Sequence, residues 1–168
     1  MTVGIRRLED GDWDTVWPFF DAIVQAGETY AYPTDLTSDT ARALWVPGPP
    51  SETVVGVLDG GIVGTATWGP NRPGRGSHVA TASFMVDPAA AGHGIGRALG
   101  EHVVAAARSA GYRGIQFNAV VETNTAAVRL WQKLGFEIIG TVPGAFESAS
   151  HGFVGLHVLY LPLTPHQP

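Results

Sequence analysis

The chain has 168 residues, of which 45% are hydrophobic and 15% are charged, a composition typical of a soluble globular protein of one domain with a buried core. It has no cysteine, which excludes disulfides and thiolate chemistry, and its net charge of −5 without a basic stripe argues against nucleic acid as a partner. It also lacks an apolar run of the ~20 residues that cross a bilayer, so we expect a cytoplasmic location and no membrane partner.

The first half of the chain predicts a short strand, two helices and a hairpin. Apolar side chains recur at helical spacing between Trp13 and Val24, and Asp59-Gly60-Gly61 is a typical hairpin turn. Thr37 or Ser38 can cap the second helix. In chain order, the predicted elements are a strand at 3–8, a helix at 10–26, a helix that ends at Trp45, and strands at 53–58 and 62–68.

The second half predicts a strand–helix–strand unit followed by a helix and two strands. The predicted elements are strands at 79–86 and 114–121 around a helix at 94–110, then a helix at 124–134, a strand at 136–142, a loop at 143–152 and a strand at 153–161. The first unit requires a right-handed parallel crossover, whereas the earlier hairpin is antiparallel. We therefore expect an α/β (or α+β) fold, in which one mixed sheet carries helices on both faces.

A glycine-rich turn joins the strand at 79–86 to the helix that follows it. Gly92, Gly94 and Gly96 stand at alternate positions, where they leave backbone N–H groups uncovered and allow a ligand to approach the main chain. Because the turn opens a helix, these N–H groups and the positive end of the helix dipole point the same way. The pattern predicts a phosphate or pyrophosphate site. A tight turn that binds nothing is the alternative.

Two common phosphate loops do not match this turn. The Walker loop requires a lysine after its last glycine, and the only lysine of the chain is Lys133. The dinucleotide fingerprint Gly-x-Gly-x-x-Gly fails because Arg97 and Leu99 occupy the sixth positions counted from Gly92 and Gly94. A nucleotide-binding regulatory module is therefore disfavoured.

The turn Gly92-His93-Gly94-Ile95-Gly96-Arg97 instead resembles motif A of the GNAT N-acetyltransferases. A second stretch, from Asn124 to Phe136, is similar to motif B of the same family, Asn-x-x-Ala-x-x-Leu-Tyr-x-Lys-x-Gly-Phe. The resemblance implies one GNAT domain over residues 1–163, with a frayed tail at 164–168. It also implies that the two central parallel strands, 79–86 and 114–121, splay apart.

The resemblance further implies acetyl-CoA as co-substrate. In the family, the loop amides hold the pyrophosphate, and the pantetheine arm adds to the splayed strand. Carried onto this chain, the cofactor-binding residues are Phe84, Met85, Val86, Gly92, His93, Gly94, Ile95, Gly96, Arg97, Asn124 and Trp131. Two of these have a second interpretation, Arg97 as a solvated helix residue and Asn124 as a helix N-cap.

The implied reaction is acetyl transfer to an amine in a ternary complex, without a metal, because the six histidines show no ligand spacing. The candidate catalytic residues are Asn118, Glu28 and Glu122, and the candidate substrate-binding residues are Tyr30, Tyr32 and Trp68. Asn118 needs a partner if it is buried, and a satisfied core amide is its alternative role. The run from Phe117 to Asn124, with Pro143 to Phe146, is similar to acetyltransferases of proline analogues, and the loop from Glu28 to Tyr32 is similar to phosphinothricin acetyltransferases. Both similarities favour a small-molecule acceptor, an amino acid or a related amine. A homodimer is a further possibility for such folds.

Two positions depart from the pattern of the family. Ala91 replaces the usual Gln or Arg at the head of the loop, which removes a side-chain contact but no amide. Trp131 stands where a tyrosine often protonates the leaving thiolate, and an indole N–H is no acid at neutral pH. Either the thiolate is stabilised without a proton from this residue, or another group or water supplies the proton. The alternative function is a non-catalytic acyl-CoA-binding protein of the same fold.

Overall fold

The structure, a computed structural model, describes residues 2–164. Its strands are β1 (Gly4–Arg7), β2 (Glu52–Leu58), β3 (Gly61–Pro70), β4 (Val79–Val86), β5 (Gly114–Val121), β6 (Glu137–Ser148) and β7 (Gly152–Pro162). Its helices are α1 (Trp13–Ala26), α2 (Ser38–Trp45), α3 (Ile95–Ser109) and α4 (Thr125–Lys133). Every predicted helix and strand is present close to its expected bounds, except that β6 is longer.

The strands form one mixed sheet in the order β1-β2-β3-β4-β5-β7-β6. Neighbouring strands are antiparallel except β4 and β5, which are parallel and are connected through α3. The parallel crossover predicted from the strand–helix–strand pattern is therefore confirmed, as is the mixed α/β fold class.

Successive side chains along each strand point to opposite faces of the sheet, so that buried apolar residues form a core on each face. Val54 packs in a cluster with Ile95 and Leu99 of α3, whereas its neighbour Val55 packs in a cluster with Phe20 of α1. As a result, α3 and α4 cover one face and α1 and α2 cover the other. Both sides of the central strands are thus held by helices.

β4 and β5 pair only at their first two positions, Val79 with Gly114 and Ala80 with Ile115. Beyond these pairs the two strands separate, and β5 pairs with β7 alone. The β5–β7 register shifts just after Phe117, as expected for a bulge that bends the strand away from its neighbour. The predicted splay is confirmed, and it leaves an opening in the middle of the sheet.

The prediction of a loop at 143–152 is wrong over its first half. β6 continues to Ser148 through Pro143 and Gly144, the two residues that suggested a loop. Because β6 is an edge strand, the missing N–H of Pro143 is tolerated there. Gly144, with φ of 60°, lies where the register of β6 on β7 shifts.

The predicted tail at 164–168 lies outside the described residues from position 165 onward. Among the helices within residues 2–164, none combines the length and the apolar character that crossing a membrane requires.

Candidate active site

The separation of β4 and β5 opens a cleft of about 610 Å³. Both diverging strands line it, together with α4, the start of α3 and the segment that follows α1. The predicted site residues that it brings together are Tyr30, Tyr32, Phe84, Met85, Val86, Gly96, Asn118, Asn124 and Trp131. Within the described part of the chain, none of the residues that line it carries a charged side chain, so its walls are apolar or neutral.

The edge of β4 that faces the cleft offers backbone groups at Phe84 and Val86. The carbonyl oxygen of Val79 and the N–H of Asp87 form hydrogen bonds on the β3 side of β4. Because main-chain groups of successive residues point to opposite edges of a strand, the N–H and C=O groups of Phe84 and Val86 point toward β5. β5 has already diverged at this level and pairs with neither residue. An extended ligand can add to such an open edge as a strand would.

Tyr30 bonds to both backbone groups of Phe84 at this edge. Its hydroxyl donates to the Phe84 carbonyl oxygen at 2.6 Å and accepts the Phe84 N–H at 2.9 Å. A parallel stack on Tyr32 and an edge contact with Trp45 hold its ring. A phenol has one proton and two lone pairs, so one lone pair remains for an N–H donor of a ligand. Tyr30 therefore closes the β4 edge at Phe84 and leaves it open at Val86.

Burial raises the pKa of Tyr30 well above its usual range. In the unfolded chain the Tyr30 phenol loses its proton from about pH 10 upward, whereas in the folded chain it stays neutral to higher pH. The neutral phenol therefore makes its full contribution to the free energy of unfolding below about pH 10, and this contribution is lost as the pH rises further. We expect the free energy of unfolding of the wild type to fall by ~1.4 kcal/mol more per pH unit than that of Tyr30→Phe, above about pH 10. Urea unfolding at several alkaline pH values measures this difference. Parallel decline in the two proteins would show that the phenol is not held neutral.

The glycine-rich turn enters α3 without a capping side chain. Gly94 is the N-cap residue, with φ of 76°, and no side chain among residues 2–164 caps the start of the helix. Gly92 is also left-handed, with φ of 84°, and a Cβ at either glycine would meet nothing within 4 Å. The turn thus has open space beside it at the positive end of the helix dipole, where the first N–H groups of a helix can bind an anion.

The side chains of this turn contribute less than its backbone. The His93 ring is exposed and folds back on the turn, with Nδ1 3.1 Å from the carbonyl oxygens of Ala90 and Ala91. Ile95 is buried in the core. Arg97 forms an exposed ion pair of 2.7 Å with Glu101 on its own helix, which favours its interpretation as a solvated helix residue.

Asn124 and Trp131 reach the cleft from α4. The Asn124 side chain caps the helix by accepting the N–H of Ala127 at 3.4 Å, which leaves its amide nitrogen for another partner. Trp131 is only 6% exposed, and its ring lies 4.6 Å from that of Phe84 and 5.0 Å from that of Phe117. Trp131 is therefore a core residue with one surface on the cleft.

Asn118 is exposed at the mouth of the cleft, next to the bulge in β5. Its amide nitrogen donates to Oδ1 of Asn71 at 2.7 Å and lies 3.4 Å from Oγ1 of Thr81, while its Oδ1 accepts from Gln116 at 3.0 Å. This network bridges the diverging strands and orients the side chain. Asn71, 47 residues away in the chain, was not among the residues predicted from the sequence.

A smaller polar pocket, here named the side pocket, adjoins the cleft and shares Thr29 and Asn124 with it. Its volume is about 350 Å³, and its lining residues are Glu28, Thr29, Thr123, Asn124, Ser150 and His151. Glu28 accepts a hydrogen bond of 2.6 Å from Ser148, which holds the pKa of this carboxyl below its usual value. Sequence reasoning placed Glu28 near the acceptor but missed Ser148, because that residue was assigned to a loop.

Glu122 and Trp68 are not brought to the cleft. The Glu122 carboxylate accepts the N–H of Gly155 on β7. Trp68 is 8% exposed in the core beneath α3, where its ring meets the edge of Tyr112. It lies on β3, one strand away from the opening between β4 and β5. Of the three aromatic residues predicted to bind the acceptor, Tyr30 and Tyr32 line the cleft and Trp68 does not. Within residues 2–164, no three His, Asp or Glu side chains are grouped to hold a metal ion.

Known proteins are similar to this chain in sequence and in fold. The acetyltransferase (GNAT) family model matches residues 14–136. A GCN5-related N-acetyltransferase from Kribbella flavida is 56% identical, with a TM-score of 0.92 over 95% of this chain and 97% of that one. N-acetyltransferase aca1 of Schizosaccharomyces pombe is 28% identical over 160 residues, which are 86% of this chain and 77% of that protein.

A more distant structure has the same fold. A phosphinothricin acetyltransferase from Sinorhizobium meliloti, solved in complex with acetyl-CoA, is 22% identical with a TM-score of 0.86 over 100% of this chain and 94% of that one. The family model and the Kribbella relative both cover most of the present chain. The chain therefore belongs to the GNAT family and is an acetyltransferase.

Proposed function

We propose that this chain is an acetyl-CoA-dependent N-acetyltransferase that moves the acetyl group directly to the amine of a small molecule, an amino acid or a related amine. The observation that carries the proposal is the cleft between β4 and β5, which borders both the uncapped start of α3 and the side pocket. The end of the cleft at the start of α3 suits a phosphate-bearing donor, and the end at the side pocket presents polar groups to an acceptor.

The donor would bind through backbone groups. The free N–H groups from Gly92 to Arg97 would hold the pyrophosphate, since they lie at a positive helix end with no competing side-chain cap. The pantetheine arm would then add to the β4 edge at Val86 and stop near Phe84, where Tyr30 occupies the edge. Asn124 would orient the arm with its free amide nitrogen.

Donor and acceptor would approach from opposite faces of the sheet. The start of α3 belongs to the helix layer of one face, whereas Tyr30 and Glu28 follow α1, which covers the other face. This arrangement supports direct transfer in a ternary complex, because holding the thioester and the amine together removes much of the entropic cost of their encounter.

The acceptor class is inferred from the walls of the cleft and from relatives. Tyr30 and Tyr32 offer an aromatic surface that suits a compact apolar body, and Asn118 offers an oriented amide. The matched phosphinothricin acetyltransferase carries an amino-acid-like acceptor in its name, which supports an acceptor of this size. Of the two predicted carboxylates, Glu28 lines the side pocket, whereas Glu122 accepts the N–H of Gly155 and lines neither the cleft nor the side pocket.

Release of free thiol from acetyl-CoA tests the proposed function. The purified protein is incubated with acetyl-CoA and, in turn, with the common amino acids, proline analogues and simple primary and secondary amines. We expect thiol release that depends on at least one of these amines. Tight binding of acetyl-CoA without thiol release against every amine would instead support a non-catalytic acyl-CoA-binding protein.

Replacing Asn118 by alanine separates chemistry from donor binding. The side chain lines the cleft outside the glycine-rich turn, so we expect turnover to fall by about tenfold or more, the scale of one lost hydrogen bond to a reacting group. Acetyl-CoA affinity should change by less than about twofold. Calorimetric titration and steady-state kinetics measure the two effects. Equal losses in both would indicate that Asn118 only supports the fold.

A further inference from the structure

We propose that His151 is the catalytic base that accepts the proton of the acceptor ammonium, and that Ser148 and Glu28 are the residues that position it. This inference rests on the proposed N-acetyltransferase function. His151 lies on the turn between β6 and β7 and lines the side pocket together with Glu28.

The turn that carries His151 is fixed against the segment after α1. The N–H of Ala149 donates to the carbonyl oxygen of Gly27 at 3.0 Å, and a Cβ at Gly27 would lie 3.3 Å from that of Ala149. Ser148 is 3% exposed and accepts the backbone N–H of His151 at 3.1 Å. His151 is thus held in place beside the acceptor side of the cleft by a contact between distant parts of the chain.

Within residues 2–164, the polar contacts of the His151 ring all involve one nitrogen. Nδ1 lies 2.8 Å from Oγ of Ser150, 3.3 Å from Oγ of Ser148 and 3.9 Å from the Glu28 carboxylate. Ser148 gives its own proton to Glu28, so its oxygen is an acceptor toward the ring. This arrangement favours the tautomer with hydrogen on Nδ1, in which Nε2 keeps a lone pair that can accept a proton.

Glu28 suits the positioning role better than the role of base. Its hydrogen bond from Ser148 holds the pKa of the carboxyl below its usual value, and a weaker base removes an ammonium proton less readily. As a carboxylate it stabilises the imidazolium that His151 becomes, across the 3.9 Å between them. The other residues facing the ring across the side pocket, Thr29, Thr123 and Asn124, carry no charge.

The protons of the reaction balance with this assignment. A primary amine binds in its protonated form, R–NH₃⁺, and one of its three N–H protons passes to Nε2 of His151. The neutral amine then attacks the thioester carbon, so that a C–N bond forms and the C–S bond breaks. A second proton leaves the nitrogen and ends on the coenzyme thiol, while His151 returns the first to solvent. The net products are the amide, free coenzyme A and one proton.

Kinetics of His151→Gln, with His157→Gln as matched control, test the assignment. His157 bonds to Thr141 on the β6–β7 hairpin and lines neither the cleft nor the side pocket. With the best amine of the panel, we expect His151→Gln to lower kcat/KM by about 100-fold or more and to remove the acidic limb of its pH profile. Acetyl-CoA affinity should stay within about twofold. His157→Gln should behave like the wild type.

Chemical rescue gives a second measurement. Added imidazole should restore part of the turnover of His151→Ala and none of that of Asn118→Ala, because only the first lacks a base. If the kcat/KM of His151→Gln stayed within about threefold of the wild-type value, with the same pH profile, the assignment would be overturned while the proposed function remained intact. A wild-type protein that binds acetyl-CoA and acetylates no amine would overturn both.

Discussion

Replacing Gly94 by tryptophan is expected to weaken acetyl-CoA binding by about 100-fold or more, which corresponds to a loss of ~2.8 kcal/mol of binding free energy. The Cβ of residue 94 points into space where nothing lies within 4 Å, at the start of α3, which has no capping side chain. An indole there would fill the volume proposed for the pyrophosphate. The prediction therefore tests the proposed anion site at the residue that begins the helix.

Gly111→Trp is the matched control for this substitution. Gly111 lies just beyond the other end of α3, has φ of 84° and also has open space around its Cβ position. Both variants thus bear the same left-handed strain, about 1–2 kcal/mol of folding free energy, but only one lies at the proposed site. Isothermal titration with acetyl-CoA compares them. Similar dissociation constants for the two variants would disprove the assignment of the turn.

The central part of the site was predictable because its signals are local. Alternate glycines between a strand and an amphipathic helix, as at Gly92 and Gly94, determine backbone conformation within a few residues. The splay of β4 and β5 was accessible only through resemblance to a family. The residues from Val79 to Val86 carry no local signal that β5 separates from β4 after two residue pairs.

The acceptor side was less predictable because it is assembled from distant segments. Ser148 and Glu28 bond across 120 positions of the chain, and β6 reaches Ser148 only because β7 pairs with it beyond Pro143. Local turn signals at Pro143 and Gly144 predicted a loop there, and tertiary pairing prevailed over them. Trp68 was assigned to the acceptor pocket for a related reason, since aromatic character does not reveal which strand or face a residue occupies.

Trp131 is placed to stabilise the core, and its indole is not an acid near neutral pH. Its ring packs against those of Phe84, Phe117 and Phe136, and 6% of the residue is exposed. We expect Trp131→Ala to cost about 3–5 kcal/mol of unfolding free energy, a large share of the total stability of a domain. Trp131→Phe should cost less and should keep most of the turnover, because neither ring is an acid near neutral pH. A 100-fold loss of turnover in a stable Trp131→Phe variant would instead give the indole a chemical role.

Gly100 explains how α3 accommodates so large a ring. A Cβ at this position would lie 2.8 Å from Cζ3 of Trp131 and 2.8 Å from Cδ1 of Leu134, and the second contact can be relieved by rotating a flexible side chain. Gly100→Ala should therefore destabilise the wild type by about 1–3 kcal/mol and should cost much less in the Trp131→Phe background, where Cζ3 is gone. Urea unfolding of the two single variants and the double variant measures the coupling. If the changes in unfolding free energy of the two single variants added up to that of the double variant within about 0.5 kcal/mol, Gly100 and the Trp131 ring would not be energetically coupled. A clear coupling would mean that the tryptophan in motif B is matched by a glycine one helix away, so that Trp131 is built into the core of this chain.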